Sequence, residues 1–148
     1  MSDLAALLAA TCPTWPARPD GLTRDTDLDD DPVGQVPATL RLAALGGGLG
    51  APVAFSATLD VRVAPDDQPA ARARLSEHSA AHVALGVVDL APDGAVRYRQ
   101  THGPLQPWSA GDLDTFVADA EAEASAALAP AWRALEASGV RFAAPVLA

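Results

Sequence analysis

Residues 82–102 read HVALGVVDLAPDGAVRYRQTH, and this stretch decides the fold. Two runs rich in apolar residues flank Ala-Pro-Asp-Gly, which is typical of a three-residue hairpin loop with a glycine bulge at Gly94. In the register that such a loop sets, Asp89 lies opposite Arg97 on the neighbouring strand. The stretch therefore predicts two antiparallel strands joined by a tight turn.

The two faces of this hairpin differ in composition. One face is apolar along its whole length and consists of Val88, Leu90, Val96 and Tyr98. The other face is charged near the turn and apolar farther from it, with Asp89, Arg97, Arg99, Val83, Leu85 and Val87. A sheet that is apolar on both faces over part of its length must be covered on both sides. We expect a helix of this chain to cover one face and a partner to cover the other.

Hydrophobic periodicity predicts two more strands and three helices. Apolar and polar residues alternate from Val36 to Leu42 and again over residues 53–63, which is typical of half-buried strands. Helices are predicted before Pro13, over about 65–81, and from a cap at Ser109 to a stop at Gly139. The last helix is the longest, and its apolar residues recur at steps of three and four, which is enough to cover a sheet face.

Residues 13–35 have a different character. They hold four prolines and a run of aspartates, without a period of two or of 3.6 residues. We expect an acidic Pro/Asp-rich surface loop or mobile arm at about 13–35. Trp15 lies in this segment, where a tryptophan either docks on the core or serves as an exposed anchor for a partner.

Composition favours a single cytoplasmic domain spanning residues 1–148. The formal net charge is −9, and all 10 basic residues are arginines, a bias that suggests a GC-rich bacterial source. Such an acidic chain is poorly suited to sequence-independent binding of nucleic acid or anionic membranes. The single Cys12 excludes an internal disulfide and fits a reducing compartment. The sequence lacks an 18-residue apolar run, and Asp3 stands where a signal peptide would be basic.

No motif specifies a reaction, so we predict neither a catalytic residue nor a cofactor. Asp25, Asp27 and Asp29 have the spacing of a calcium loop, but Asp30 and Val36 stand where that loop requires glycine and glutamate. The glycine-rich GGGLG run lacks both the third glycine of a dinucleotide motif and a following Gly-Lys-Ser/Thr. It predicts only a flexible hairpin loop.

His78 and His82 are four residues apart and would share a face of one continuous helix. A zinc site of the HExxH type requires a glutamate where Ser79 stands. His82 is moreover expected at the point where helix gives way to strand, which would spoil the geometry. The sequence therefore predicts surface or helix-end histidines and no metal.

The order of elements over residues 59–135 resembles that of the YbjN family, whose members share the fold of type III secretion chaperones. The resemblance rests on four consecutive pieces: LDVRVAP, ARARLSEHSAAH, VALGVVDLAPDGAVRYRQTH and WSAGDLDTFVADAEAEA. It implies an α+β fold in the order α-β-β-β-α-β-β-α, with an antiparallel sheet packed by the N- and C-terminal helices. A third strand before the middle helix would have to come from residues 22–33. The resemblance also implies a homodimer built through the other sheet face and the middle helix.

Three functional hypotheses follow. The first is a non-enzymatic, chaperone-like adaptor or regulator that binds a partner protein through an apolar surface of a homodimer. The residues proposed for the partner or dimer interface are Val83, Leu85, Val87, Arg97, Arg99 and Trp15. The second is a small-molecule-binding domain or enzyme with a pocket between the sheet and the C-terminal helix, and the third is a nucleic-acid-associated regulator. Convergent polar residues in a pocket would favour an enzyme, whereas an open apolar groove would favour an adaptor.

Overall fold

The computed structural model describes residues 3–18, 21–30 and 34–143. Over these ranges the chain forms three α-helices, a short 3-10 turn and seven strands. The helices are α1 (Asp3–Thr11), α2 (Gln68–His82) and α3 (Ala110–Ala137). The strands are β1 (Ala17–Arg18), β2 (Gly21–Asp30), β3 (Gly34–Ala44), β4 (Val53–Val63), β5 (Val87–Leu90), β6 (Ala95–His102) and β7 (Phe142–Ala143).

The strands form one antiparallel sheet in the order β1-β2-β3-β4-β6-β5, with β7 added at the end of β4. The three helices pack on one face of this sheet, and within residues 3–18, 21–30 and 34–143 no helix covers the opposite face. We call this opposite side the open face. The predicted α+β fold, with N- and C-terminal helices against an antiparallel sheet, is confirmed.

The core lies between the sheet and the helices. In β4, the residues that face the helices are buried from Val53 to Leu59, whereas those between them are only partly buried. The Phe55 ring packs edge-to-face against the Tyr98 ring, with centroids 6.0 Å apart, the geometry that aromatic quadrupoles favour. Period-two alternation in the sequence therefore becomes one apolar face and one polar face of the sheet.

The hairpin follows the predicted register, with Asp89 opposite Arg97 and Leu90 opposite Val96. Gly94 has φ +90°, a conformation that glycine adopts without a steric penalty. However, β5 begins only at Val87, and residues 83–86 form an irregular bend before it. The expectation that Val83 and Leu85 lie on the second sheet face was therefore wrong.

The surface loop that the residue pattern predicts at about 13–35 contains the ten-residue strand β2, so that expectation was wrong. The third strand that the resemblance requires from residues 22–33 is present in β2. Residues 19–20 and 31–33 lie outside the described residues. β2 pairs with β3 from Leu22–Leu42 to Asp30–Gly34. Its alternation was missed because a helix-facing position holds Arg24, whose guanidinium forms an ion pair with Glu121 of α3. A tertiary ion pair thus replaces the apolar contact that a sequence pattern would show.

The long helix α3 has the boundaries that the sequence predicts. The Ser109 hydroxyl accepts a hydrogen bond from the Asp112 N–H at 3.1 Å, and Gly139 (φ +80°) ends the helix. The Val140 N–H then donates to the Leu135 carbonyl at 3.1 Å, completing a Schellman motif. The helix continues through Pro130. Among the described residues, no helix has both the length and the apolarity needed to cross a membrane.

Replacement of Phe55 by alanine should lower the free energy of unfolding by about 3–5 kcal/mol, because the side chain is buried and its removal leaves a cavity. Leu105→Ala is the control, since Leu105 is fully exposed and its loss should change the free energy by less than about 0.5 kcal/mol. Urea unfolding followed by circular dichroism measures both. Equal losses for the two variants would contradict the proposed core.

Candidate functional site

An open groove lies between the end of β6, the following loop and the first half of α3. Its volume is about 610 Å³, within the range of sites that bind small ligands or short segments. We call it the α3 groove. Its lining comprises Leu85, Gln100, His102, Pro104, Leu105, Gln106, Trp108, Asp112, Thr115, Phe116 and Asp119.

Three rings form the floor of the α3 groove. The His102 ring lies 5.4 Å from Trp108 and 5.7 Å from Phe116, measured between centroids. Trp108 is held rigidly, because its backbone N–H donates to Leu49 and its indole N–H donates to the Ala51 carbonyl at 2.9 Å. The groove therefore has a preformed aromatic floor.

The rim of the α3 groove combines exposed leucines with acidic residues. Leu85 is 63% exposed, and Leu105 is fully exposed. Asp112 and Asp119 are exposed on α3. Two large apolar side chains in water beside an aromatic floor are typical of an interaction site, and the carboxylates give this site a negative rim.

A partly exposed hydrogen-bond network fixes Leu85 at this rim. Glu123 of α3 accepts hydrogen bonds from the backbone N–H groups of Leu85 at 3.1 Å and Gly86 at 2.8 Å. The Tyr98 hydroxyl also lies 2.7 Å from Glu123 Oε1. We call these contacts the Glu123 clamp. A Cβ atom at Gly86 would lie 2.5 Å from the Tyr98 hydroxyl oxygen, so the clamp requires glycine there.

The Tyr98 hydroxyl lies 2.7 Å from Gln100 Oε1 as well. Because a phenol carries one proton, Tyr98 donates it to the charged Glu123 oxygen, and the Gln100 amide group must turn its NH₂ toward the phenol oxygen. Burial raises the pKa of Tyr98 far above its ordinary value, and Glu123 adds to this effect. Tyr98 is therefore a permanent donor at any physiological pH.

The protonation state of Glu123 depends on the same network. Partial burial alone would raise the pKa of this carboxyl group. The hydrogen bonds from Tyr98, Gly86 and Leu85 act in the opposite direction and together bring the pKa below its ordinary value. Hydrogen bonds to the charged form stabilise it. Glu123 is accordingly a carboxylate at neutral pH.

Five of the six predicted interface residues come from the hairpin stretch, and the structure separates these five into three groups. Val83 is partly buried against the core, and Leu85 belongs to the α3 groove. Val87, Arg97 and Arg99 do lie together, on the open face of the hairpin, where Val87 pairs with Arg99. They stand next to a polar depression of the sheet rather than the groove.

Trp15 is buried, with only 7% of its surface exposed. The Arg24 guanidinium lies over its ring, 4.8 Å from the centroid. The sequence left open whether Trp15 docks on the core or serves as an exposed anchor, and in the structure it docks on the core. Trp15 therefore contributes to the packing of α1, β2 and α3 and does not offer an aromatic face to a partner.

Charge pairing partly compensates the charges of Arg97 and Arg99 on the open face. Arg97 forms two hydrogen bonds with Asp89, at 3.0 and 3.2 Å, and Arg99 reaches the same carboxylate at 2.6 Å. The predicted Asp89–Arg97 pair is thus present. A cluster of arginines that shares an aspartate offers less positive potential to phosphate groups than free arginines would.

Three groups of the groove and its clamp were absent from the sequence-based candidates: Leu105, Phe116 and Glu123. Phe116 belongs to the apolar stripe that was predicted to cover a sheet face, and it is 7% exposed at the groove floor. Leu105 carries a weak signal, as an isolated large apolar residue between two prolines. Glu123 gave no signal, because only the folded chain brings α3 next to residues 85–86.

Other reactive groups are inert or dispersed. Burial, reinforced by the nearby Asp114 charge, raises the pKa of the Cys12 thiol, which makes it a poor nucleophile. Over the described residues, no group of three or more His, Cys, Asp or Glu side chains is arranged to hold a metal ion. The α3 groove is therefore the candidate functional site.

Comparison with known proteins gives a likeness in fold. No family model matches this chain, and no curated protein is a match in sequence. Among solved structures, the chain is similar to the crystal structure of YbjN from E. coli, described as "a putative transcription regulator". The TM-score is 0.59 at 15% sequence identity, and the match covers 93% of each chain. The YbjN-like fold that the sequence predicts is thus confirmed.

Replacing Glu123 with glutamine should lower the free energy of unfolding by about 1–3 kcal/mol at pH 7, because it removes the charge from hydrogen bonds that favour a carboxylate. The folded-state pKa lies below the unfolded one. The stabilisation is therefore complete above about pH 5 and is lost as the pH falls through the folded-state pKa.

Chemical denaturation of both proteins between pH 3 and pH 7 measures this difference. Glu136→Gln, at an exposed position of the same helix, is the control and should give a small difference at all pH values. A Glu123→Gln effect that stays constant down to pH 3 would show that the charge of Glu123 does not stabilise the clamp.

Proposed function

We propose that this protein is a non-enzymatic adaptor or regulator that binds a segment of a partner protein in the α3 groove. The observation that carries the proposal is the combination of a rigid aromatic floor with the fully exposed Leu105 at the rim. Burial of a leucine side chain contributes about 1.5–3 kcal/mol, so a segment that covers Leu105 and Leu85 would gain substantial free energy.

The distribution of polar groups supports binding over catalysis. Asp112, Thr115 and Asp119 are exposed on the α3 rim, and each faces solvent rather than a common point at which a substrate could react. The His102 ring packs against the Trp108 and Phe116 rings of the floor. A catalytic site requires convergent polar groups, whereas an open apolar groove suits a peptide.

The charge of the rim specifies the partner segment. Asp112 and Asp119 flank the apolar floor, and the whole chain carries a formal net charge of −9. A segment with two or more apolar side chains and at least one arginine or lysine is complementary to such a surface. The apolar side chains would supply most of the affinity, and the basic residue would fix the orientation.

Direct contact with nucleic acid is the less favoured function. The E. coli protein of similar fold is described as "a putative transcription regulator", and a regulator of this kind could bind nucleic acid directly or act through a protein. Arg97 and Arg99 of the open face are already paired with Asp89, Arg62 is paired with Asp93, and the net charge of −9 repels phosphate. A regulator built on this chain would therefore act by binding another protein.

We also propose that the protein is a homodimer that associates through the open face. This face is left without a helix, and it carries Val87, which is 47% exposed. Arg62 and Asp93 form an ion pair near one end of the face, and Asp60 lies beside them in the same depression. Such mixed charges around an apolar residue can be self-complementary across a two-fold axis.

Peptides selected for binding from a random display library should share apolar residues and a basic residue. Leu105→Glu should weaken binding of such a peptide at least about tenfold, because it replaces an apolar contact with an unpaired charge. Leu45→Glu is the matched control, since Leu45 is 56% exposed in the β3–β4 connection and does not belong to the lining of the groove. Isothermal titration calorimetry gives both affinities.

Leu105→Glu must unfold at the same urea concentration as the wild type, so that its loss of peptide binding reflects the groove alone. Selection of acidic peptides, or equal weakening by Leu45→Glu and Leu105→Glu, would exclude the α3 groove as the binding site.

Sedimentation equilibrium at micromolar concentration should give the mass of a dimer for the wild type. Val87→Asp should give a folded monomer, because it places a charge in the proposed interface, whereas Leu45→Asp should remain dimeric. A wild-type monomer at high concentration would rule out the dimer, and a dimeric Val87→Asp would place the interface elsewhere.

A further inference from the structure

Two histidines, His78 and His82, lie in the C-terminal part of helix α2. His82 is the last residue of helix α2, as expected of a helix-end histidine, but the next strand begins only at Val87, so His82 keeps helical geometry. The last turn is intact, because the Val83 N–H donates to the Ser79 carbonyl at 3.0 Å. Residues four apart on a helix point to the same side, and both histidines therefore lie on one face of α2.

The two imidazole rings lie side by side. Their centroids are 4.8 Å apart, and the ring planes are inclined at 47°. Two imidazoles that bind one metal ion through nitrogens at about 2.0–2.1 Å have ring centres about 5 Å apart. The pair already has the spacing of a two-histidine chelate, without a change in the helix.

A small pocket opens beside the pair. Its volume is about 260 Å³, and it is lined by His78, His82, Glu123, Ala126, Ala127 and Pro130. The short alanine side chains of α3 leave this space open opposite the imidazoles. The carboxylate of Glu123 is the acidic group of the lining, and it gives the pocket a negative charge that attracts cations.

His78 has an imidazole nitrogen available. Among the described residues, its Nε2 is buried and has no hydrogen-bond partner, a costly state for a polar atom. A metal ion bound by the lone pair of this nitrogen would remove that cost, since metals bind the neutral imidazole.

We propose that His78 and His82 form a binding site for a divalent late transition-metal ion, with one imidazole nitrogen from each as ligand. Imidazole favours Cu²⁺, Ni²⁺ and Zn²⁺ over Mg²⁺ and Ca²⁺, which prefer oxygen. With two protein ligands, the ion keeps open positions for water or for a donor group of a partner. The third histidine of the chain, His102, lies in β6 and is not part of this pair.

The metal site is independent of the proposed adaptor role. It lies on the α2 side of Glu123, whereas the α3 groove lies on the Leu85 side. A bound ion would tie consecutive turns of α2 together at its C-terminal end. Since an ion that binds only the folded chain stabilises that chain, the site should reveal itself in unfolding as well as in binding.

Titration of the full chain with CuCl₂, ZnCl₂ and MgCl₂ tests the proposal. Calorimetry should show about one Cu²⁺ or Zn²⁺ bound per chain, with Cu²⁺ the tighter, and no binding of Mg²⁺. His82→Gln should abolish this binding, because it leaves a single imidazole, and His82 is exposed enough for the fold to survive the change. His102→Gln is the matched control and should bind as the wild type does.

A second measurement separates the histidine pair from other donors. Electron paramagnetic resonance with one equivalent of Cu²⁺ should show two coordinated imidazole nitrogens in the wild type and no imidazole-coordinated Cu²⁺ in His82→Gln. The midpoint of thermal unfolding should rise with Zn²⁺ in the wild type and in His102→Gln only. Metal binding that survives in His82→Gln, that is lost in His102→Gln, or that is absent from the wild type would overturn the proposal.

Discussion

The carboxylate of Glu123 joins three parts of the fold: α3, the sheet and the bend before β5. Both proposed sites depend on how these parts are placed. The carboxylate projects from α3, accepts the phenolic proton of Tyr98 from the sheet, and accepts two backbone N–H groups from the bend before β5. A charge placed at the edge of a core is costly unless every lone pair is used, and here the carboxylate has several donors. Once these bonds form, the bend must sit on α3, so Leu85 is directed to the α3 groove and the histidine pair to the other side of Glu123.

The ion pair between Arg24 and Glu121 fixes the N-terminal part of the sheet to α3, as Glu123 fixes the hairpin. Arg24 occupies a helix-facing position of β2, where its guanidinium forms an ion pair with Glu121 and covers the Trp15 ring. Glu121 and Glu123 lie two residues apart on α3 and point to different parts of the sheet. The helix is therefore fixed at both sides by charge-assisted hydrogen bonds, which are directional, as well as by apolar packing.

The regular parts of this fold could be predicted because one physical rule governs them. In β4, in the hairpin and in α3, the residues that face the core are apolar, so their period alone reveals strand or helix. β2 was missed because Arg24 and Thr26 face the helices and are polar, which hides the period. The bend at 83–86 was missed because its cause, Glu123, lies 37 residues farther along the chain. The same limit applies to the sites: Leu105 and the histidine pair are visible in the sequence, but their surroundings come from contacts that no local pattern encodes.

The uneven distribution of side-chain size along α3 explains why the helix layer has openings on either side of the clamp. The buried stripe begins with the bulky Leu113, Phe116 and Val117 and becomes small in the middle of the helix, with Ala120, Ala124 and Ala127, before Leu128 and Leu135. Where the stripe is small, helices approach closely, and α2 lies against α3 with a narrow gap over Ala126 and Ala127. Where it is bulky, Phe116 fills the space beneath the chain and meets Trp108, so the loop after β6 must pass outside it. Leu105 is consequently left in water above an aromatic floor. The α3 groove thus follows from the order in which large and small residues occur along a single helix.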